Sequence, residues 1–185
     1  RIVDIAGHFN IARSIITDPQ ERLELIRLNL QAGRHARRTA AYETAMSLLT
    51  IGAELLPNNA WSEHYSLALE LTTELQQCAY LTARLDEAER LMGILLEQAE
   101  TDFNRAEFLA IRTRQYATLG KMEDSITSAI RGLQLLGFEA SAEPTLEDIA
   151  AERRTVDECL ADCSVTSLAD LPDLKDDSVL IAIRL

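Results

Sequence analysis

Four arginines, Arg27, Arg34, Arg37 and Arg38, fall at spacings that place them on one side of a helix. Like charges three and four residues apart repel on a helix surface unless something negative lies opposite. The planar guanidinium fork suits carboxylates and phosphates. Three readings stay open: pairing with acidic side chains on a facing helix or a neighbouring domain, capture of an anion or acidic peptide, or plain exposure to water. Other chemistry is sparse. Cys159 and Cys163 share one helical face, but as a metal half-site they lack a second pair at any familiar spacing. Beside Val156 and Leu160 they read as packing residues. His8, His35 and His64 each stand alone, with no H-E-x-x-H, no G-x4-G-K-[ST] and no G-x-G-x-x-G. The kinase catalytic loop and D-F-G are absent as well. A catalytic triad assembles in space and escapes a linear reading, yet no nucleophile sits in a Gly-rich turn. Acidic pairs such as Asp86/Glu89 and Glu97/Glu100 read as solvated helix faces, with Arg90 alongside, and not as general acid/base pairs. Trp61 follows a turn and is expected to anchor it. The expectation is a non-catalytic chain with no metal and no cofactor.

The elements that would position the arginines are helices. Of 185 residues 47% are hydrophobic and 26% charged, with seven Gly, four Pro and 5% aromatics. That balance excludes disorder and points to an all-α protein with enough chain for a sizeable core. No apolar run approaches the roughly 18 residues of a membrane span. The formal net charge is −12, which argues against nucleic acid as the main partner. The charge is uneven: residues 139–185 carry −8 of it, through twelve Asp and Glu against four basic residues. That acidic stretch could dock against a basic groove in a neighbouring copy or domain. Three cysteines without a disulfide framework fit a reducing cytosol. The chain begins with Arg1 and no signal segment follows, so it reads as a piece of something longer. Lysine occurs only at Lys121 and Lys175 against sixteen arginines, a bias with no physical account.

Helical periodicity runs almost throughout. Helices are expected over about Val3–Ile16, Pro19–Arg38, Ala40–Leu56, Trp61–Thr82 with Asn59 as N-cap, and from an Asp86 cap to Ala99. Others run from Thr101 or Asp102 to Gly120, from Met122 to Leu136 with Gly137 as the stop, and from Leu146 to Cys163 behind Thr145 and Asp148, a weaker relative of a capping box. A turn at Asp170-Leu171-Pro172 precedes a last apolar run, Val179–Leu185.

Paired helices with short turns call for a search for a fixed period. The tetratricopeptide pattern, W-x2-L-G-x2-Y, A-x3-F and then P over about 34 residues, finds a match at every spacing. Asn29-x2-Ala32-Gly33-x2-Ala36 is followed by Ala45-x3-Leu49 and Pro57. Gly33, Ala45 and Gly52 are small enough for close helix approach, and Leu49 fills the gap, while Asn29 departs from the expected tryptophan. Tyr42, Leu85 and Met122 are equivalent points, giving steps of 43 and 37 residues. The fold expected is a right-handed superhelix of antiparallel helix hairpins, with units over 19–57, 61–99 and 102–137, repeats to 138, then an acidic extra helix and the truncated start of a further repeat over 139–185. An unrelated helical bundle is the plainer alternative. In a tetratricopeptide stack one face of each first helix lines a concave groove. That geometry would bring together Arg27, Arg34, Arg37 and Arg38 in the first unit, Glu70, Gln77 and Tyr80 in the second, and Glu107 and Arg114 in the third. Glu70 and Glu107 are the expected acidic partners if the arginines pair internally.

Longer stretches carry a more specific likeness. His8-Phe9-Asn10, Ile16-Thr17-Asp18-Pro19-Gln20-Glu21-Arg22, Leu28 to Arg34 and Leu55-Leu56-Pro57-Asn58-Asn59-Ala60-Trp61 resemble the helical-repeat region of large bacterial signalling kinases. Leu85 to Leu91, Tyr116 to Met122 and Ser167 to Pro172 resemble it too. In that family a Ser/Thr-kinase-like domain and an AAA/STAND-type NTPase precede the repeats, and GAF and sensor histidine kinase domains follow. The resemblance implies a cytoplasmic interaction and sensing module that links the NTPase to output domains, with a protein or peptide partner or neighbouring domains of its own chain. The alternative is a small-ligand receptor, similar to the inducer-binding superhelix of STAND-type transcription activators. An enzyme built on helices is the third class, and it would need a cleft of perturbed titratable groups.

Overall fold

A computed structural model describes residues 1–161 and 173–185, all helix and connecting turn. Cys163 and the Asp170-Leu171-Pro172 turn lie outside the described residues. The helices are α1 (Ile2–Ile11), α2 (Pro19–Arg38), α3 (Tyr42–Leu55), α4 (Ala60–Glu63), α5 (Tyr65–Leu81), α6 (Leu85–Gln98), α7 (Asp102–Thr118), α8 (Met122–Leu135), α9 (Leu146–Leu160) and α10 (Asp177–Ala182). They divide into two compact units, Arg1–Ala99 and Glu100–Leu185.

Side-chain caps mark four of the ten described helix starts. The Asp18 carboxylate accepts from the amides of Gln20 and Glu21 at 2.9 Å, and Pro19 occupies the first turn, where no N–H is needed. Thr101 caps α7 through the Asn104 amide. Thr145 and Asp148 form a complete capping box at α9. Hydrogen bonds from Thr145 hold the Asp148 carboxyl below its ordinary range. Other helix bounds differ from expectation. α1 stops at Ile11, short of Ile16, because the Ala12 amide closes a tighter turn on Phe9 and the Arg13 guanidinium takes the Asn10 carbonyl. The helix expected from Trp61 is broken at His64, and Asn59 makes no side-chain cap. Asp86 lies inside the first turn of α6, where its charge suits the helix dipole, while Arg84 holds the cap position.

One turn closes four of the described helices. At the end of α8, Gly137 is left-handed (φ 82°) and the Phe138 amide bonds back to Leu133 at 3.0 Å. The other three copies end the first helices of hairpins. α2, α5 and α7 end in left-handed residues Ala40 (φ 59°), Ala83 (φ 58°) and Gly120 (φ 74°). The next amide in each case, on Ala41, Arg84 and Lys121, bonds back to Ala36, Ala79 and Tyr116 at 2.9, 2.8 and 2.9 Å. These three turns are spaced by the same 43 and 37 residues as Tyr42, Leu85 and Met122. Ala83→Gly is expected to raise the unfolding free energy by about 0.5–1 kcal/mol. Left-handed backbone costs an L residue about 1–2 kcal/mol, and the freer unfolded chain of glycine offsets about 0.4–1 kcal/mol of the relief. Gly120→Ala, with no atom near the added Cβ, should lose a similar amount. Urea unfolding of both variants checks this; two shifts of the same sign would contradict a shared turn.

In the first unit α2 pairs with α3 and α5 with α6, while α1 packs on α2 and α3 on α5. The core is Leu25, Ile26, Leu30, Met46, Leu49, Leu71, Leu75 and their neighbours. Burying each such side chain is worth about 1.5–3 kcal/mol. The Leu49 side chain packs directly onto the Gly33 backbone, where an added Cβ would lie 2.6 Å from Leu49 Cγ. In the second unit α7 pairs with α8, and α10 returns to α7 with Ile181 buried against Ala106 and Ala110. Leu185 seats on Gly132, at 2.6 Å from where a Cβ would stand. No residue of α9 is buried.

Candidate functional site

Two arginines of α2 converge on one carboxylate of α5. Glu74, with only 10% of its side chain exposed, accepts from Arg34 Nε at 2.9 Å through one oxygen and from Arg37 Nε at 2.7 Å through the other. Arg34 Nη2 continues to Glu70 at 2.8 Å. Docking of α5 against α2 and α3 produces this arrangement: Leu71, Leu75 and Cys78 anchor α5 in the core, and Glu74 enters on the adjoining flank. Burial pulls the Arg34 guanidinium down, but its hydrogen bonds to Glu74 and Glu70 and their charges carry it above the ordinary arginine value. The same surroundings push the Cys78 thiol up to about 11, through burial first and the Glu74 charge last, with Arg37 opposing. Cys78 is fully buried in the core, where a neutral thiol packs as a small apolar group.

The clamp uses Arg37 only through Nε. Its two terminal nitrogens have no partner among the described residues, and 26% of the side chain is exposed. The terminal edge of a guanidinium presents two parallel donors, the geometry that a carboxylate accepts in bidentate fashion. Arg27 and Arg38 are exposed on the same helix, with no ion pair among the described residues. A hollow of about 500 Å³ opens beside Arg27, Arg34, His64, Tyr65 and Glu70. Trp61 stacks edge-on against Tyr65, with ring centroids 6.0 Å apart.

The remaining residues named from sequence are placed differently. Gln77 and Tyr80 are half-buried on α5, and Tyr80 packs against the core. Glu107 and Arg114 belong to the second unit and are exposed on α7. The charges that act on Glu107 are local: burial raises its carboxyl, Arg184 lowers it and Asp177 raises it again. Glu74 was not among the residues expected; its signal is a lone carboxylate between Leu71 and Leu75, one turn beyond Glu70. Asn29, at the expected tryptophan position, is fully buried and forms a reciprocal amide pair with Asn10, 2.8 Å in each direction. Among the described residues no three His, Cys, Asp or Glu side chains are grouped to hold a metal ion. No helix among them is long and apolar enough to cross a membrane.

The fold and the clamp together define a protein that is helical throughout its described residues, with a charged seam between α2 and α5. The chain is similar to the hybrid signal transduction histidine kinase G of Dictyostelium discoideum, 28% identical over 146 residues. That match covers 74% of this chain and 4% of the kinase's length. That relative is a signal transduction kinase of a eukaryote. No protein-family model matches the chain, and no solved structure does.

Proposed function

We propose that the chain is a tetratricopeptide-like repeat module of a signal-transduction kinase, a non-catalytic interaction and sensing element of the kind that links an NTPase switch to output domains in the large bacterial kinases it resembles. It works in the cytoplasm, and the arginine face of α2 receives a carboxylate-bearing segment of a protein partner or of a neighbouring domain. Two observations support the repeat reading: the hairpin turn repeated at 43 and 37 residues, and the small residues at the crossing of α2 with α3. The similarity to a histidine kinase supports the setting. The observation that carries the binding reading is Arg37, oriented through Nε by a buried carboxylate and unpaired at its terminal edge among the described residues. A second reading, an inducer receptor, draws on a hollow of about 600 Å³ beside Arg22, Leu23, Ile26, Leu55 and His64, within the range of small-molecule sites.

The test uses a labelled peptide rich in Asp and Glu and its Asn/Gln counterpart, at about 0.15 M salt. The acidic peptide should bind, the amide version should not, and Arg27→Glu/Arg38→Glu should weaken binding about tenfold or more, a loss of at least about 1.4 kcal/mol. Both side chains are exposed, so the variant should keep the wild-type unfolding midpoint. Equal binding by wild type and variant would overturn the reading.

A further inference from the structure

α1 has two apolar faces, and only one of them is covered. Ile2, Val3 and Ala6 pack inward against Leu28, Ala32 and Leu48. Ile5 and Phe9, one turn apart, are 43% and 52% exposed, and Ile15 beyond the helix end is 78% exposed. Phe9 and Ile15 with Ala12, Ile16, Leu25 and Leu28 enclose a hollow of about 400 Å³ between α1 and α2. Its rim carries two carboxylates, Glu21 and Glu24, both exposed and without an ion pair among the described residues. An apolar cavity large enough for a bulky side chain, flanked on one side by two free negative charges, selects for a cation next to the apolar anchor. A helix meets that demand directly, because residues three and four apart share a face.

We propose that this edge of the first unit is a docking site for an amphipathic helix of a protein partner, with Leu, Phe or Met seated in the hollow and Lys or Arg one turn away facing Glu21 and Glu24. Charge complementarity identifies the occupant: the rim is doubly negative, and the chain's net charge of −12 attracts a basic segment at long range. Helix-in-groove recognition of this kind takes its affinity from the buried anchors and its register from the rim. The site is separate from the arginine face, which takes the opposite charge, so either reading can fail alone.

The experiment titrates the full chain with a labelled helical peptide of leucine and lysine and with its leucine–glutamate counterpart. Wild type should bind the lysine peptide and shift the NMR signals of Phe9, Ile15, Leu25 and Leu28. Glu21→Lys/Glu24→Lys should weaken it about tenfold or more and favour the glutamate peptide. Glu147→Lys/Glu152→Lys, on the uncovered helix α9, changes the net charge by the same amount and should leave the affinity within about twofold. Phe9→Ser should weaken both peptides. Equal losses in the two charge variants would show attraction by net charge alone and overturn the proposal. So would wild-type dimerisation abolished by Phe9→Ser, which would assign the face to a second copy, or signal shifts confined to other residues.

Discussion

Asn29→Ala is expected to lower the unfolding free energy by about 3 kcal/mol, far more than its loss of three heavy atoms implies. The Asn29 amide is fully buried. It donates to Asn10 Oδ1 and to the Leu25 carbonyl, and it accepts from Asn10 Nδ2. Truncation strands the Asn10 amide, itself 5% exposed, and an unsatisfied buried polar group costs about 1–3 kcal/mol. The void beside Gly52, which lies close to Asn29 Cβ, adds a packing loss of about 1 kcal/mol. The reciprocal variant Asn10→Ala should cost about 2 kcal/mol for the same reason. Once one partner is gone the other has little left to lose, so the double variant should fall about 1–2 kcal/mol short of the sum. Urea unfolding of the four proteins gives that coupling directly. Additivity within about 0.5 kcal/mol would mean that α1 is held to α2 by its apolar face alone.

The amide pair also shows where sequence reasoning stops. The departure at Asn29 is visible in the repeat pattern, but its partner is nineteen residues away in a helix with no matching pattern. Spacing cannot join two residues whose helices have not yet been docked. Features whose causes are local were legible: the Thr101 and Thr145/Asp148 caps, Pro19 in a first turn, the left-handed Gly120 and Gly137, and the helical composition. Ala40 and Ala83 adopt the same left-handed turn as Gly120, yet alanine carries no signal for it. The break at His64 has no proline or glycine to announce it. At the arginine face, the sequence places positive charge on one side of α2 and a carboxylate at Glu70 opposite. It does not say that Glu74 takes both Arg34 and Arg37, because that depends on how far α5 rolls as Leu71 and Leu75 find the core.

Glu74 is where stability and the proposed binding meet. Removing one member of a buried ion pair costs about 3–5 kcal/mol when the partner is left without solvent. Here Arg34 and Arg37 remain 33% and 26% exposed, and Arg34 keeps Glu70. Water therefore screens much of the loss, and Glu74→Ala should cost about 2 kcal/mol. Glu74→Gln keeps the shape and one acceptor oxygen, and should cost about 1 kcal/mol. Its effect on the acidic peptide has a sign that separates two mechanisms. If affinity follows the charge of the face, deleting a carboxylate strengthens binding. If affinity depends on Arg37 being held through Nε so that its terminal edge points outward, the glutamine variant binds more weakly despite the added positive charge, because a neutral acceptor holds the guanidinium less firmly. The orientation mechanism predicts a loss of about threefold to tenfold at about 0.15 M salt, with wild-type helicity retained. A gain in affinity that disappears as salt is raised would instead assign the face to long-range attraction and leave Glu74 a purely structural residue.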